Sequence, residues 1–469
     1  MRRRILLISL NRCTVPDPVF PLGLSCVSAA LRQAGHETRW FDCLTERGSI
    51  EAAVSEYRPD FVGISLRNID DVQIRRQETY FEPLAGVCDA IRRTLRCPVI
   101  LGGSGFSLFP ARLLELSGAD FGIQGEGEAS LPALIRTLSL GEDYTWIPGL
   151  VFRRNGGIDV NPPRSGSAEI PSAPEDRPPP VAARYLETGG MLNLQTQRGC
   201  SHVCTYCTYP VIEGRASRRR APEAVAEEMA QLEAAGARYA FIVDSIFNSS
   251  PEHVVETCEA LVRRRLTLRW GCFLRPQGLT PELVRLMARA GLAHIEFGSD
   301  SFCDQVLAAY AKHLTFGDIL RSSELARAEG IDYCHFLICG GPGETWETLA
   351  TSFKNSRRLP DAVVMAVVGM RIYPGTALAR RAVCEGRINA ETDLLNPVYY
   401  LAPGLCADDV FGRLTEFSRE SPNWIVGSAT PAYARLVERL RARGVLGPLW
   451  SYFAMLQRIQ PAPAVFPTA

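Results

Sequence analysis

Blocks of apolar and polar positions alternate along the first 140 residues in a strand–helix rhythm. "RILLISL" (4–10) is an apolar run bounded by the loop "NRCTVPDPVFP", and "LGLSCVSAALRQAG" (22–35) has helical spacing and ends on Gly35, which suits a helix C-cap. "ETRWFD" and "IEAAVSEY" follow, then "FVGISL", a continuous apolar run of the kind buried in a parallel sheet. "EPLAGVCDAIRRTLR", "PVILGGSG", "ARLLELSGA", "DFGIQGEGE" and "ASLPALIRTL" complete five units. The pattern predicts a doubly wound, Rossmann-like α/β domain over residues 1–140. Such sheets bind ligands at the carboxyl ends of their strands. Here those ends carry Pro21, Leu22 and Gly23, then Ser65, Leu66 and Arg67, then Gly102, Gly103 and Ser104, then Gln124, Gly125, Glu126 and Gly127. One glycine marks a tight turn; four such loops on one rim favour a bound cofactor.

Residues 141–190 change character. "NPPRSGSAEIPSAPEDRPPP" is rich in proline and serine and lacks periodicity, so a linker is expected. A second α/β series then runs over 191–376, with strand-like "MLNLQTQRG", "YAFIVDS", "LRWGCFL", "HIEFGSD", "YCHFLICGG" and "VVMAVVGMRIYP" separated by helical segments. Six strands suggest a partial, six-unit β/α barrel. Residues 377–469 read as mainly helical, and "GPLWSYFAMLQRI" is apolar enough for a greasy lid or a helix packed on the barrel.

Composition narrows the class. The chain has 469 residues, 46% hydrophobic and 22% charged, as in a globular protein of two or three domains. Lys+Arg and Asp+Glu balance at 51 each, so no global attraction for nucleic acid is expected. No stretch has the apolar length of a transmembrane span, and the short run in "MRRRILLISLNRC" reads as a buried first strand rather than a signal peptide; a cytoplasmic protein is expected. Most of the 15 cysteines stand singly in apolar settings, as small buried hydrophobes do.

Cys200, Cys204 and Cys207 differ, lying in "RGCSHVCTYCTYP" with C-x3-C-x2-C spacing and no fourth ligand close behind. Structural zinc wants four closed ligands, and a disulfide framework does not suit the compartment. A cubane iron–sulfur cluster held by three cysteines leaves one iron open. The cluster also falls where the first barrel strand ends, on the catalytic rim of β/α barrels.

This motif, with Tyr206 as its aromatic, resembles that of the radical S-adenosylmethionine (SAM) superfamily, and the likeness runs from 191 to about 376. The resemblance implies a [4Fe–4S] cluster on the three cysteines, with SAM chelated by the free iron and cleaved to a 5′-deoxyadenosyl radical. It further implies SAM contacts at Asp244, Ser245 and Asn248 (amino group), at Arg275 (carboxylate), at Glu296, Ser299 and Asp300 (ribose and carboxylate), and at Gly340 and Gly341 (adenine). Candidates for substrate contact are Tyr333, His335, Arg371 and Tyr373, near the ends of the fifth and sixth strands. Tyr333 and His335 share one face by alternation; the pattern leaves open whether it is the lumen.

The domain order, doubly wound then barrel, resembles the cobalamin (B12)-binding radical SAM enzymes, and "FPLGLSCVSAALRQAGHE", "VGISL" and "VILGGSG" resemble parts of their cobalamin domain. The D-x-H-x-x-G motif that supplies a histidine to cobalt in cobalamin mutases is absent, with His36 in no such setting. The resemblance implies that the nucleotide tail lies along Ser65, Gly102, Gly103 and Ser104 and that Arg67 faces the lower side of the corrin; the competing expectation is Arg67 paired with Asp70 or Asp71. What is implied is a C-methyltransferase acting at an unactivated carbon of a small molecule, through methylcobalamin, with an external flavodoxin- or ferredoxin-type electron donor. Two other classes compete: a non-methylating radical enzyme of the same architecture (ring contraction, cyclisation or C–C coupling), and a binding protein whose thiolates hold zinc or a static cluster.

Overall fold

The computed structural model describes residues 2–14, 17–163, 170, 176–359, 361–427, 431–445, 447–450 and 452. The first sheet contains β1 (Arg4–Ser9), β2 (Glu37–Asp42), β3 (Phe61–Ser65), β4 (Val99–Gly102), β5 (Phe121–Ile123), β6 (Leu150–Arg154) and β7 (Gly157–Val160), in the order β2-β1-β3-β4-β5-β6-β7. The first five are parallel, and β6 and β7 add antiparallel to the edge. Register aligns Ser9 with Asp42 and Ser65, and Ser65 with Gly102, so the small and polar residues after each apolar run form one carboxyl edge.

The expected linker is partly structured. Residues 150–160 extend the first sheet, and a helix at Pro179–Gly189 follows. Asp176 ties this segment to the first helix of the chain, accepting from Ser28 Oγ (2.6 Å) and Arg32 (2.9 Å). Residues 164–169 and 171–175 of the predicted linker lie outside the described residues.

The second sheet is built from β8 (Leu192–Leu194), β11 (Tyr239–Ile242), β12 (Arg269–Leu274), β13 (Leu292–Asp300), β14 (Asp332–Cys339), β15 (Val363–Val368) and β18 (Trp424–Val426), all parallel, in the order β18-β15-β14-β13-β12-β11-β8. Between β8 and β11 a short antiparallel pair, β9 (Gln197–Arg198) and β10 (Arg218–Arg219), brackets the cysteines; β16 (Met370–Arg371) pairs with β17 (Tyr399–Tyr400). Among the described residues the barrel thus has seven strands, one more than expected, because β18 comes from the C-terminal region. That region also carries helices at Ala377–Cys384, Ala407–Glu420 and Pro431–Ala442; residues 453–469, with most of the proposed lid, lie outside the described residues.

One apolar core runs through both sheets, including Ile5, Phe20, Trp40, Tyr185, Leu192 and Leu194 as well as the barrel's outward faces. Tyr185 also donates to Asp42 (2.8 Å). Burial of this shared seam holds the carboxyl edge of the first sheet over the barrel mouth. Among the described residues no helix is long and apolar enough to cross a membrane.

Candidate active site

The cysteine loop is held at its base by Asp244, which follows β11. This carboxylate is fully buried and accepts from Thr196 N (2.7 Å), Gln197 N (3.2 Å) and the Thr196 hydroxyl. Burial pushes it up to about 7, against the pull of these donors. Higher in the loop, Cys200 N donates to Gly214 O (3.1 Å), Thr205 N to Tyr310 O (3.1 Å) and Cys207 N to Cys204 O (3.2 Å).

The three thiols lie within electrostatic reach of one another. Burial pushes Cys204 up and Cys207 to about 12, so protons must leave as metal binds. Two cations stand beside them. Lys312 is buried and paired with Asp300 (2.6 Å), which also accepts from the Tyr206 hydroxyl. Burial pulls the Lys312 ammonium down, but Asp300 and Cys204 outweigh it, so the group stays charged. Arg275 is 6% exposed and donates to Gln277 Oε1 (3.0 Å) and to Lys312 O; among the described residues it has no carboxylate partner. Three thiols, no fourth protein ligand among the described residues and flanking cations fit an anionic cubane. Among the described residues no three His, Cys, Asp or Glu side chains are gathered as around a single ion.

Several predicted contacts are placed otherwise. Asp244 has its oxygens engaged by the loop base. Ser245 donates to Gly199 O (3.2 Å), and Asn248 clasps Arg275 through N–H and C=O (both 2.9 Å); both brace the rim. Ser299 bonds His335 Nδ1 (2.7 Å), and His335 Nε2 meets Ser323 (3.0 Å) on the helix Phe316–Ala328. His335 is fully buried against Phe297 and Phe302, so the face it shares with Tyr333 packs on the helix layer, away from the lumen. The expectation of substrate contact there is corrected: alternation gives the shared face but not its side. Glu296 is buried and accepts from Trp450 Nε1 (3.0 Å). Gly340 N donates to Glu344 (2.8 Å) and Gly341 N to the Tyr310 hydroxyl (3.1 Å). A β-carbon on Gly341 would lie 2.2 Å from that hydroxyl oxygen, so this glycine serves the packing of Tyr310.

Arg371 is likewise corrected. It is buried, pairs with Asp70 of the first domain (2.8 Å) and donates to the Ile372 (2.6 Å) and Leu394 (2.7 Å) carbonyls, which makes it an interdomain strut. Tyr373 stacks by the Arg371 guanidinium (4.8 Å) and stays at the site, on the wall of a cavity between the domains.

That cavity measures about 1030 Å³, at the upper end of small-molecule pockets. Its first-domain wall includes all the predicted rim residues except Gln124: Pro21 to Gly23, Ser65 to Arg67, Gly102 to Ser104 and Gly125 to Gly127. Its barrel wall includes Asn193, Gln195, Arg198, Thr208 and Tyr209, so the cavity reaches the turn just past Cys207. Gly103 has φ +102°, and a β-carbon there would lie 2.5 Å from Leu66 O; only glycine lets the backbone form this wall. The Asn11 side-chain amide, also on the wall, is a buried donor without a hydrogen-bond partner among the described residues. Arg67 lines the cavity with no carboxylate pairing it among the described residues: Asp70 is taken by Arg371, and Asp71 lies by Arg76 (3.7 Å). Burial lowers the Arg67 guanidinium. A roomy, glycine-walled cavity with an orphan donor fits a large polar cofactor such as cobalamin. Sequence reasoning missed Lys312, which lies in an irregular loop without a motif, and Arg198, whose 2.7 Å bridge to Glu128 crosses between domains.

A family profile of the radical SAM superfamily matches residues 194–354, and one of the B12 binding domain matches 8–135. The tryptophan 2-C-methyltransferase of Streptomyces laurentii is 27% identical over 455 residues, covering 82% of this chain and 76% of that protein. The hopanoid C-3 methylase of Methylococcus capsulatus is 25% identical over 381 residues, covering 78% and 70%. Among solved structures, the radical SAM methyltransferase TsrM from Kitasatospora setae, with cobalamin and a [4Fe–4S] cluster bound, superposes with a TM-score of 0.86 at 25% identity, covering 98% of each chain. Both halves of the fold and the cavity between them thus point one way: the chain belongs to the cobalamin-binding radical SAM enzymes of the methyltransferase type, which work with a [4Fe–4S] cluster, SAM and cobalamin.

Proposed function

We propose that the enzyme transfers a methyl group to an unactivated carbon of a small natural-product or lipid-like substrate. The observation that carries this reading is the single cavity walled on one side by the cobalamin-type rim and on the other by the turn after Cys207. A substrate carbon there lies within reach of both cofactor sites. When bound, the cluster and SAM supply a hydrogen-abstracting radical, and the corrinoid supplies the methyl group.

Cys200, Cys204 and Cys207 hold the cluster. Arg275, buried and without a carboxylate partner among the described residues, would receive the SAM carboxylate as a charge-assisted partner. Ser65, Gly102, Gly103 and Ser104 line the cavity where they would hold the nucleotide tail of the corrinoid, and Arg67 would present a cation to it. Tyr373 faces the substrate. The shared apolar seam excludes water from this space. A flavodoxin- or ferredoxin-type protein supplies electrons, and the cytoplasm, which keeps thiols reduced, suits the fifteen free cysteines.

Anaerobic enzyme, reconstituted with iron, sulfide and cobalamin and incubated with trideuteromethyl-SAM and a reductant, tests the reading. Iron near four per chain, about one corrinoid and formation of both 5′-deoxyadenosine and S-adenosylhomocysteine are expected. Deoxyadenosine alone would indicate a non-methylating radical enzyme; no SAM turnover at all would leave only a binding protein. Arg67→Ala is expected to change the visible spectrum of the bound corrinoid, and an unchanged spectrum and affinity would remove its assigned role.

A further inference from the structure

The turn after the cysteines has an outer side that the cavity does not use. Tyr209, Ile212 and Glu213 of this turn line the cavity, as does Tyr373. Val211 and Arg215 of the same turn, and Gly375 just past Tyr373, do not line it and are exposed. Val211 lies against Gly375, where a β-carbon would stand 3.8 Å from its Cγ2. Gly375 O accepts from Arg380 (3.3 Å) on the helix Ala377–Cys384. That helix buries Leu378 and Ala382 and leaves Arg380 and Val383, neighbours on its surface, in solvent.

Two hydrogen bonds join this outer face to the ligand loop. Leu378 N donates to Thr205 O (2.8 Å), between Cys204 and Cys207, and Cys200 N donates to Gly214 O (3.1 Å), next to Arg215. With both cofactors seated, the corrinoid fills the cavity side of the cluster and SAM the side of Arg275. The outer face is the approach that stays open. Its charge is one-sided. Arg215 and Arg380 have no carboxylate partner among the described residues, and Arg387 adds an exposed cation past the helix end. The exposed carboxylate beside them, Glu385, is held by Arg381 (2.7 Å) and the Tyr400 hydroxyl (2.6 Å). In a chain whose formal charges cancel, such a local excess of cations selects an acidic partner.

We propose that Val211, Arg215, Gly375, Arg380, Val383 and Arg387 form the docking face for the electron donor, a small protein whose acidic surface surrounds an exposed one-electron group. Its carboxylates pair with the three arginines, and its redox group rests on the apolar centre made by Val211 and Val383. One electron leaves the donor's reduced group, which is oxidised, and enters the cubane, which is reduced; no atom or proton changes hands. The proposal rests on the cluster assigned above.

Surface plasmon resonance of the anaerobically reconstituted full chain over an immobilised flavodoxin tests it, with rapid-quench EPR of the reduced cluster as a second readout. Binding is expected to weaken as salt rises. The double variant Arg215→Glu, Arg380→Glu should bind flavodoxin about tenfold or more weakly and take its electron correspondingly slowly. Reduced methyl viologen, which needs no docking, should reduce the variant's cluster at the native rate. Arg285→Glu, an exposed charge reversal on the helix Pro281–Arg289, should leave every readout unchanged. Should the double variant fail to fold, Arg380→Glu alone should weaken binding several-fold. Native-strength binding by the variant, binding indifferent to salt, or equal slowing with flavodoxin and methyl viologen would each overturn the proposal. So would an oligonucleotide that binds the native chain but not the variant while flavodoxin binds neither. A chain that holds no cluster would overturn the enzyme reading and the docking face together. A cluster that methyl viologen reduces and flavodoxin does not would overturn the docking face alone.

Discussion

A single cysteine spacing carried most of the chemistry that was legible residue by residue. C-x3-C-x2-C is local in sequence, and its lack of a fourth ligand is a property of composition, so both could be read from residues 198–210. The partners that surround it were not, since Lys312 and Asp300 come from remote loops. Gly103 lay within a glycine run whose meaning only its φ of +102° and the approach of Leu66 O disclose. Gly103→Ala is expected to cost about 1–3 kcal/mol of stability and to weaken cobalamin binding, measured by denaturant unfolding and by titration. Glu296 gives a pH-dependent prediction. Its folded value of about 7 lies above the ordinary glutamate value of 4.5, so between these two the unfolded chain releases a proton that the folded chain retains, and stability falls as pH rises. Glu296→Gln should therefore match the native chain below that window. Above it the variant should be more stable by up to about 3 kcal/mol, the scale of the pKa difference, read from urea midpoints on both sides.

At the scale of elements, periodicity predicted the strands and helices of both sheets well, because each buries an apolar face whatever its partner. It did not tell which way a strand faces. Tyr333 and His335 share a side, as alternation requires, but only the packing of Ser323 on His335 shows that the side is the helix layer. Arg371 has the same lesson: an arginine near a strand end read as a substrate contact, and Asp70, 301 residues away, makes it a strut. β6 and β7 were missed because they complete an edge that only the first sheet provides, and the three-residue β18 is too short to carry a period. Arg371→Met, which strands a buried carboxylate, is expected to cost about 3–5 kcal/mol, and Asp70→Asn in the same chain should recover part of it; urea denaturation of the two variants checks this.

For the whole molecule, the joint of the two domains decides function. Ile5, Phe20, Trp40, Tyr185 and Leu192 form a core common to both sheets, so the cavity has a set shape without depending on a flexible hinge. A cofactor bound between the domains must then stabilise both together. At a hundredfold excess over its Kd, cobalamin is expected to add about 2.7 kcal/mol and raise the melting temperature in one cooperative transition, followed by differential scanning fluorimetry. Two separate transitions, with only the first responding to cobalamin, would show the domains to be thermally independent.

By itself the sequence determined the two α/β series, their order, the glycine-marked rim and the C-x3-C-x2-C spacing, because strand and helix periods and cysteine spacing are short-range properties of the chain. Only the tertiary structure decided which faces look inward, which charges find counter-ions and how the two rims meet around one cavity. Those outcomes depend on contacts between residues far apart in sequence, 301 positions for Asp70 with Arg371 and 154 for Glu296 with Trp450, which no local pattern encodes.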